Sequence, residues 1–157
     1  MACTAPSPLN PSDTVTYPTA EHYMMYHKAL LFNDSDVATK ILAATTPIEV
    51  KALGRQVKSF DEEIWKENRY RIVKDGNILK FTQHLDLKEK LLATKGKMLV
   101  EASPRDRIWG IGYGAKNALA NKERWGLNLL GQVLVEIRDE MLDEQAEEAA
   151  IEASLTV

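Results

Sequence analysis

The sequence predicts a mainly α, single-domain, multihelical fold with at most a minor β element. Three observations predict it. Helix-start signals recur along the chain, the C-terminal part carries an apolar stripe at helical spacing, and one segment alone reads as a strand. At 157 residues the chain has the length of one domain and enough residues to bury a core. Its apolar fraction of 45% and charged fraction of 27% are ordinary for a globular protein.

The elements follow in order. Residues 1–16, "MACTAPSPLNPSDTVT", are rich in Pro, Ser and Thr and are expected to be disordered or loosely attached. Thr19, after Pro18, caps a helix running to about Phe32. Thr46, Pro47 and Glu49 form a capping pattern with proline at the first helical position. Ser59 and Glu62 repeat that pattern before a long helix holding Ile64, Trp65, Ile72, Leu79 and Phe81, with Gly76 a candidate break or bend. "LDLKEKLLAT" (85–94) reads as a short helix, and "KMLVEAS" (97–103) is the lone strand candidate. An irregular loop, "SPRDRIWGIGYGAKN", leads to a last helix with Leu127, Leu130, Leu134, Ile137 and Met141 three and four apart, an amphipathic stripe expected to face the core. The expected organisation is an N-terminal segment 1–16, a domain 17–142 and an acidic extension 143–157.

Composition removes several classes of function. The longest apolar runs are too short to cross a bilayer. The N-terminus has neither the basic region nor the apolar stretch of a secretory signal. Cys3 is the single cysteine, so neither a disulfide within the chain nor a cysteine-based zinc site is available. An intracellular, cytoplasmic setting is expected, with the nucleus as the alternative. The net charge of −3 is uneven: residues 143–157 hold five acids and no base, and Lys88–Arg124 holds nine bases against four acids. A solvated surface and a phosphate-binding site are both compatible with that basic stretch.

Gly110, Gly112 and Ala115 match the G-x-G-x-x-A dinucleotide fingerprint, but Pro104 and charged residues precede them where a strand is required. The glycines instead allow close backbone approach, and Trp109 and Tyr113 beside them offer stacking faces. His22 and His27 are five residues apart and point to different sides of a helix, and His84 is distant, so no metal site is expected. Glu21 and Lys28, seven apart, share one helix face, with Met24 and Met25 between them. A surface carboxylate favoured by the helix dipole is one reading of Glu21. The other is a functional pair: apolar surroundings desolvate the lysine, lower its pKa and make it a nucleophile or base, with the glutamate exchanging protons.

The motifs together resemble the NADAR family, also called YbiA-like proteins. They are "PTAEHYMMYHKA" (18–29), "LGR" (53–55), Trp65, "KFTQH" (80–84), "LLAT" (91–94), "LVEASPRDRIWGIG" (99–112) and "WGLNLLGQVLVEIR" (125–138). One departure stands out: family members usually carry a segment like "FLSNFYPSPF" where this chain has "MACTAPSPLNPSDTVTYP". The resemblance implies a YbiA-like multihelical fold and hydrolysis of N-glycosidic bonds. It implies catalytic roles for Glu21, Lys28 and Asp106. It implies substrate contacts at Tyr23, Arg55, Trp65, Trp109, Gly110, Gly112, Tyr113 and Asn128, and Gly131 matches the start of the final helix.

The implied substrate is ADP-ribosylated guanine, in nucleic acid or as a nucleotide, with ADP-ribose as product. The alternatives are hydrolysis of phosphorylated riboflavin-pathway intermediates and a non-catalytic module binding ADP-ribose or NAD. No cofactor, metal, membrane or obligate protein partner is expected.

Overall fold

The computed structural model of the protein describes residues 1–155. Two compact units are distinguished along the chain, Met1–His84 and the residues from Leu85 onward. Among the described residues the secondary structure is one two-stranded sheet, seven α-helices and a short 3-10 turn, a mainly α fold with a minor β element.

The first unit opens with an antiparallel hairpin, β1 (Cys3–Pro6) and β2 (Thr14–Tyr17), in which Cys3 faces Tyr17 and Pro6 faces Thr14. The segment expected to be loose is therefore ordered. Its anchors are physical: Cys3 and Tyr17 are buried, and burial pushes the Cys3 thiol pKa up. The hairpin loop closes on itself, with the Ser7 amide donating to the Asp13 carbonyl at 2.8 Å. The free edge of β1 is covered by one side chain. Gln83 donates to the Thr4 carbonyl at 2.6 Å and accepts from the Thr4 amide at 2.8 Å, replacing a neighbouring strand.

Four helices complete this unit. Helix α1 (Ala20–Leu31) starts at Thr19, whose hydroxyl accepts from the His22 amide at 3.3 Å. Just past its Phe32 cap, Asn33 adopts the left-handed conformation (φ 57°) common after a helix. Asp34 then caps α2 (Ser35–Ala43): one carboxylate oxygen accepts from the Val37 amide, the other from the Lys58 amide. Thr46 caps α3 (Pro47–Arg55), with proline in its first turn.

Helix α4 (Glu62–Gln83) is capped by Asp61, not by Ser59. Asp61 Oδ1 accepts from the Glu63 and Ile64 amides, whereas Ser59 is in a left-handed turn (φ 54°) two residues too early. Gly76 does not break α4. A Cβ there would lie 2.5 Å from the Tyr23 ring, so the glycine lets α1 and α4 approach.

The second unit contains α5 (Leu85–Leu92), the short α6 (Ala115–Ala118) with the 3-10 turn Leu119–Arg124, and the long α7 (Leu129–Leu155). Residues 97–103 are not a strand. Their backbone is held by a side chain and a loop instead: the Asn128 amide donates to the Leu99 carbonyl and accepts from the Glu101 amide, both at 2.9 Å. The Ile111 amide donates to the Glu101 carbonyl. The expected stripe on the last helix is partly right. Ile137 and Met141 are buried, together with Val133 and Arg138, but Leu127 precedes the helix and is 54% exposed. From Asp143 to Leu155 the helix continues with every residue exposed; the last two residues of the expected acidic extension lie outside the described residues.

Candidate active site

Helix α1 positions Glu21 in its first turn and Lys28 in its last, ends where the backbone dipole favours an anion and a cation respectively. Their surroundings differ. Glu21 is part-exposed, with Oε2 4.0 Å from the Lys51 ammonium on α3. Lys28 is half-buried and donates to the Gly54 carbonyl, also on α3, at 2.8 Å. Its Nζ lies 4.4 Å from the centroid of the Phe60 ring and 5.6 Å from that of Trp65. Burial lowers the Lys28 pKa from the ordinary lysine value, and the Glu62 carboxylate opposes the shift. Gly54 has a second task. A side chain there would collide with the Met25 thioether, so a glycine both admits α1 and offers its carbonyl to the lysine.

The remaining polar residues of α1 are structural. His22 is buried, with Nε2 3.0 Å from the Ala44 carbonyl and Nδ1 2.8 Å from the Thr19 hydroxyl. A carbonyl only accepts, which assigns the proton to Nε2. Tyr23 stacks on His27 with centroids 4.1 Å apart and meets Tyr17 edge-on at 4.9 Å. Burial pushes the Tyr23 phenol up to about 12 and holds the His27 imidazole down at about 4, with Arg71 adding to the His27 shift. Tyr23, named above as a substrate contact, thus sits in a buried aromatic cluster. Trp65 is only 7% exposed and presents little surface for stacking. Arg55, at the end of α3, is exposed.

The second unit holds the other expected residues, and most of them build its loop. Asp106 Oδ1 accepts from the Ile108 and Trp109 amides at 2.9 and 2.8 Å, closing the turn that carries Trp109. Gly110 is required by packing: a Cβ would lie 2.8 Å from the Glu101 carbonyl oxygen and 2.9 Å from that of Asp106. Gly112 has φ 77°, where only glycine is unstrained. The Arg107 guanidinium lies 6.0 Å from the Tyr113 ring centroid. Asn128 spends both ends of its side-chain amide on residues 99–101. The Leu129 and Leu130 amides, free donors at the start of α7, are satisfied by the Ile108 and Trp109 carbonyls. A groove of about 500 Å³ on this unit is lined by Met98, Leu99, Trp125, Leu127, Gln132 and Val135 among others.

Sequence reasoning missed four contributors. Lys51 and Gly54 carry no signature beyond "KALGR". Phe60 occupies the position before a helix cap, where an apolar residue commonly packs on the helix, and that signal was readable. Arg138 is 3% exposed and donates through Nη1 to the Thr94 and Lys97 carbonyls, at 2.8 and 2.7 Å, clamping the turn after α5. Among the described residues no group of three His, Cys, Asp or Glu side chains is placed to hold a metal ion. Among the same residues no helix is long and apolar enough to cross a membrane.

Fold and site define a multihelical protein whose first unit sets a desolvated lysine and a carboxylate on one helix. Residues 2–142 match the family model of the NADAR domain, and the chain belongs to that family. The match begins one residue before β1, so the family domain takes in nearly all of the segment that sequence analysis set apart. The chain is 48% identical over 134 residues to an N-glycosidase of Acanthamoeba polyphaga mimivirus, covering 84% of this chain and 79% of the relative. It is 34% identical over 137 residues to the chloroplastic riboflavin biosynthesis protein PYRR of Zea mays, covering 83% of this chain but 20% of that protein. The NMR structure of Escherichia coli YbiA superposes with a TM-score of 0.69 at 29% identity, covering 85% of this chain and 72% of the other.

Proposed function

We propose that the protein is an N-glycosidase that hydrolyses the ribosyl C1–N bond of an ADP-ribosylated guanine base, with Lys28 as nucleophile and Glu21 as its proton partner. The observation that carries this reading is the Lys28 amine: half-buried, aimed by the neutral Gly54 carbonyl and bordered by two aromatic rings. An amine in such a place gives up its proton more readily than a solvated one and is a usable nucleophile. The family membership and a relative named N-glycosidase support the bond type.

The chemistry balances with water as the only co-reactant. In an exocyclic aminoglycoside, C1 carries both the ring oxygen and the base nitrogen. Ring opening gives a C1=N imine. The neutral Lys28 amine adds to C1; the base nitrogen takes a proton and leaves with the C1–N electron pair. A Lys28–C1 Schiff base remains. Water then adds to C1 and expels the lysine, so one water is consumed for each C–N bond broken. Glu21 carries protons to and from these nitrogens. A route without a covalent intermediate uses the carboxylate alone, as acid to the leaving base or as base to the water.

A second reading, hydrolysis of phosphorylated riboflavin-pathway intermediates, is favoured by the similarity to the riboflavin biosynthesis protein of Zea mays. Parallel incubations separate the readings. Release of free ADP-ribose from an oligonucleotide bearing ADP-ribosylated guanine is the expected result. Turnover of a phosphorylated riboflavin intermediate alone would move the assignment to the second reading. Binding of ADP-ribose without turnover of either substrate would make the protein a binding module.

A further inference from the structure

We infer that Phe60 is the aromatic platform on which the planar base of the substrate stacks beside Lys28. This rests on the reading of Lys28 as the reacting group.

Two rings border the Lys28 amine, and they differ in access. Trp65 is buried, whereas Phe60 is 43% exposed. Leaving a large apolar ring in water forgoes burial that a purely structural residue would gain. The ring is nonetheless held. The backbone leading to it is pinned by the Lys58 amide, which donates to the buried Asp34 carboxylate at 2.9 Å, and by the left-handed turn at Ser59. Asp61, the next residue, is fixed as the cap of α4. Phe32 meets the ring edge-on, with centroids 5.3 Å apart and planes at 61°. The outcome is a braced, part-exposed ring whose centroid is 4.4 Å from the candidate nucleophile.

A glycosidic bond held at Lys28 places its base within a few ångströms of that amine. A flat heteroaromatic base is the part of such a substrate that gains most from a π-surface. Trp65, one of the substrate contacts that the family resemblance implies, is buried; it stands four positions after the Asp61 cap, where a hydrophobic staple pairs with the apolar residue ahead of the cap, here Phe60.

That packing role is the competing explanation, and two substitutions divide it from stacking. Phe60→Leu keeps an apolar side chain at the start of α4 and removes the π-face; Phe60→Tyr keeps the face. Stacking predicts a KM raised about tenfold or more in Phe60→Leu, with kcat little changed and Phe60→Tyr close to wild type. Unchanged KM in a folded Phe60→Leu variant would sink the idea.

A second measurement does not depend on turnover. The chain has three phenylalanines, so the Phe60 ring signals in a phenylalanine-labelled NMR spectrum are identified by their loss in Phe60→Leu. Titration with guanosine monophosphate is expected to move those signals upfield. Signals that stay in place up to millimolar nucleotide would overturn the stacking assignment. If they move while no glycoside is hydrolysed, the enzymatic reading falls and the platform stands.

Discussion

At the scale of single residues, Glu21 and Lys28 are separated by two helical turns, a rise of about 10.5 Å. That separation is too long for one hydrogen-bonded pair, so in the proposed reaction the two would act from either side of the substrate. If they act as a unit, Glu21→Gln and Lys28→Ala each lower turnover by at least about a hundredfold. The double variant is then little worse than the worse single one. Borohydride added during turnover is expected to label wild type and to leave Lys28→Ala unlabelled. Folded single variants with near-normal turnover would return both residues to an ordinary charged helix face.

His27 offers a test of the same helix by pH. Its pKa falls from 6.5 to about 4 on folding, because burial among Tyr17, Tyr23 and Tyr26, with Arg71 nearby, disfavours the charged ring. The fold therefore favours the neutral imidazole. This contribution is complete above about pH 6.5 and is lost as pH falls through the folded value near 4. Melting curves across that window should show a shallower decline in His27→Gln than in wild type. Identical slopes would remove His27 as a source of acid sensitivity.

At the scale of elements, close helix approach depends on missing side chains. Gly76→Ala should raise the helix propensity of α4 by about 1 kcal/mol. Against this, the new methyl meets the Tyr23 ring at 2.5 Å, and that ring is braced by His27 and Tyr17. Overpacking of this kind costs about 1–3 kcal/mol, so a net loss of melting temperature is expected. A stabilised Gly76→Ala variant would show that α1 and α4 can separate cheaply. In the second unit the Arg138 clamp is the corresponding feature. Arg138→Met preserves much of the volume but strips two carbonyls of their donor, and a loss of about 2–4 kcal/mol in denaturant titration is the expected result.

For the whole molecule, the prediction concerns what is not packed. Beyond Leu142 the last helix is exposed as far as it is described, and its two large apolar residues there, Ile151 and Leu155, are 59% and 79% exposed. Deleting 145–157 should leave both melting temperature and activity nearly unchanged. A substantial fall in melting temperature would show that the extension docks on the domain.

Local chemistry was legible in the sequence. Thr19 and Thr46 announce α1 and α3 because a cap acts on amides two or three residues away. The mainly helical class follows from such signals and from apolar spacing, and the shared face of Glu21 and Lys28 follows from the helical period alone. What the sequence did not reveal depends on partners distant along the chain. The hairpin is ordered because Gln83, seventy-nine residues on, bonds the edge of β1. Residues 97–103 have the composition of a strand, yet the Asn128 side chain takes the place where a neighbouring strand would run. Whether an aromatic beside Lys28 is open to a ligand was likewise undetermined: Phe60 and Trp65 both lie near the amine, and only tertiary packing buries one and leaves the other exposed, because burial is a property of what surrounds a side chain and not of the side chain itself.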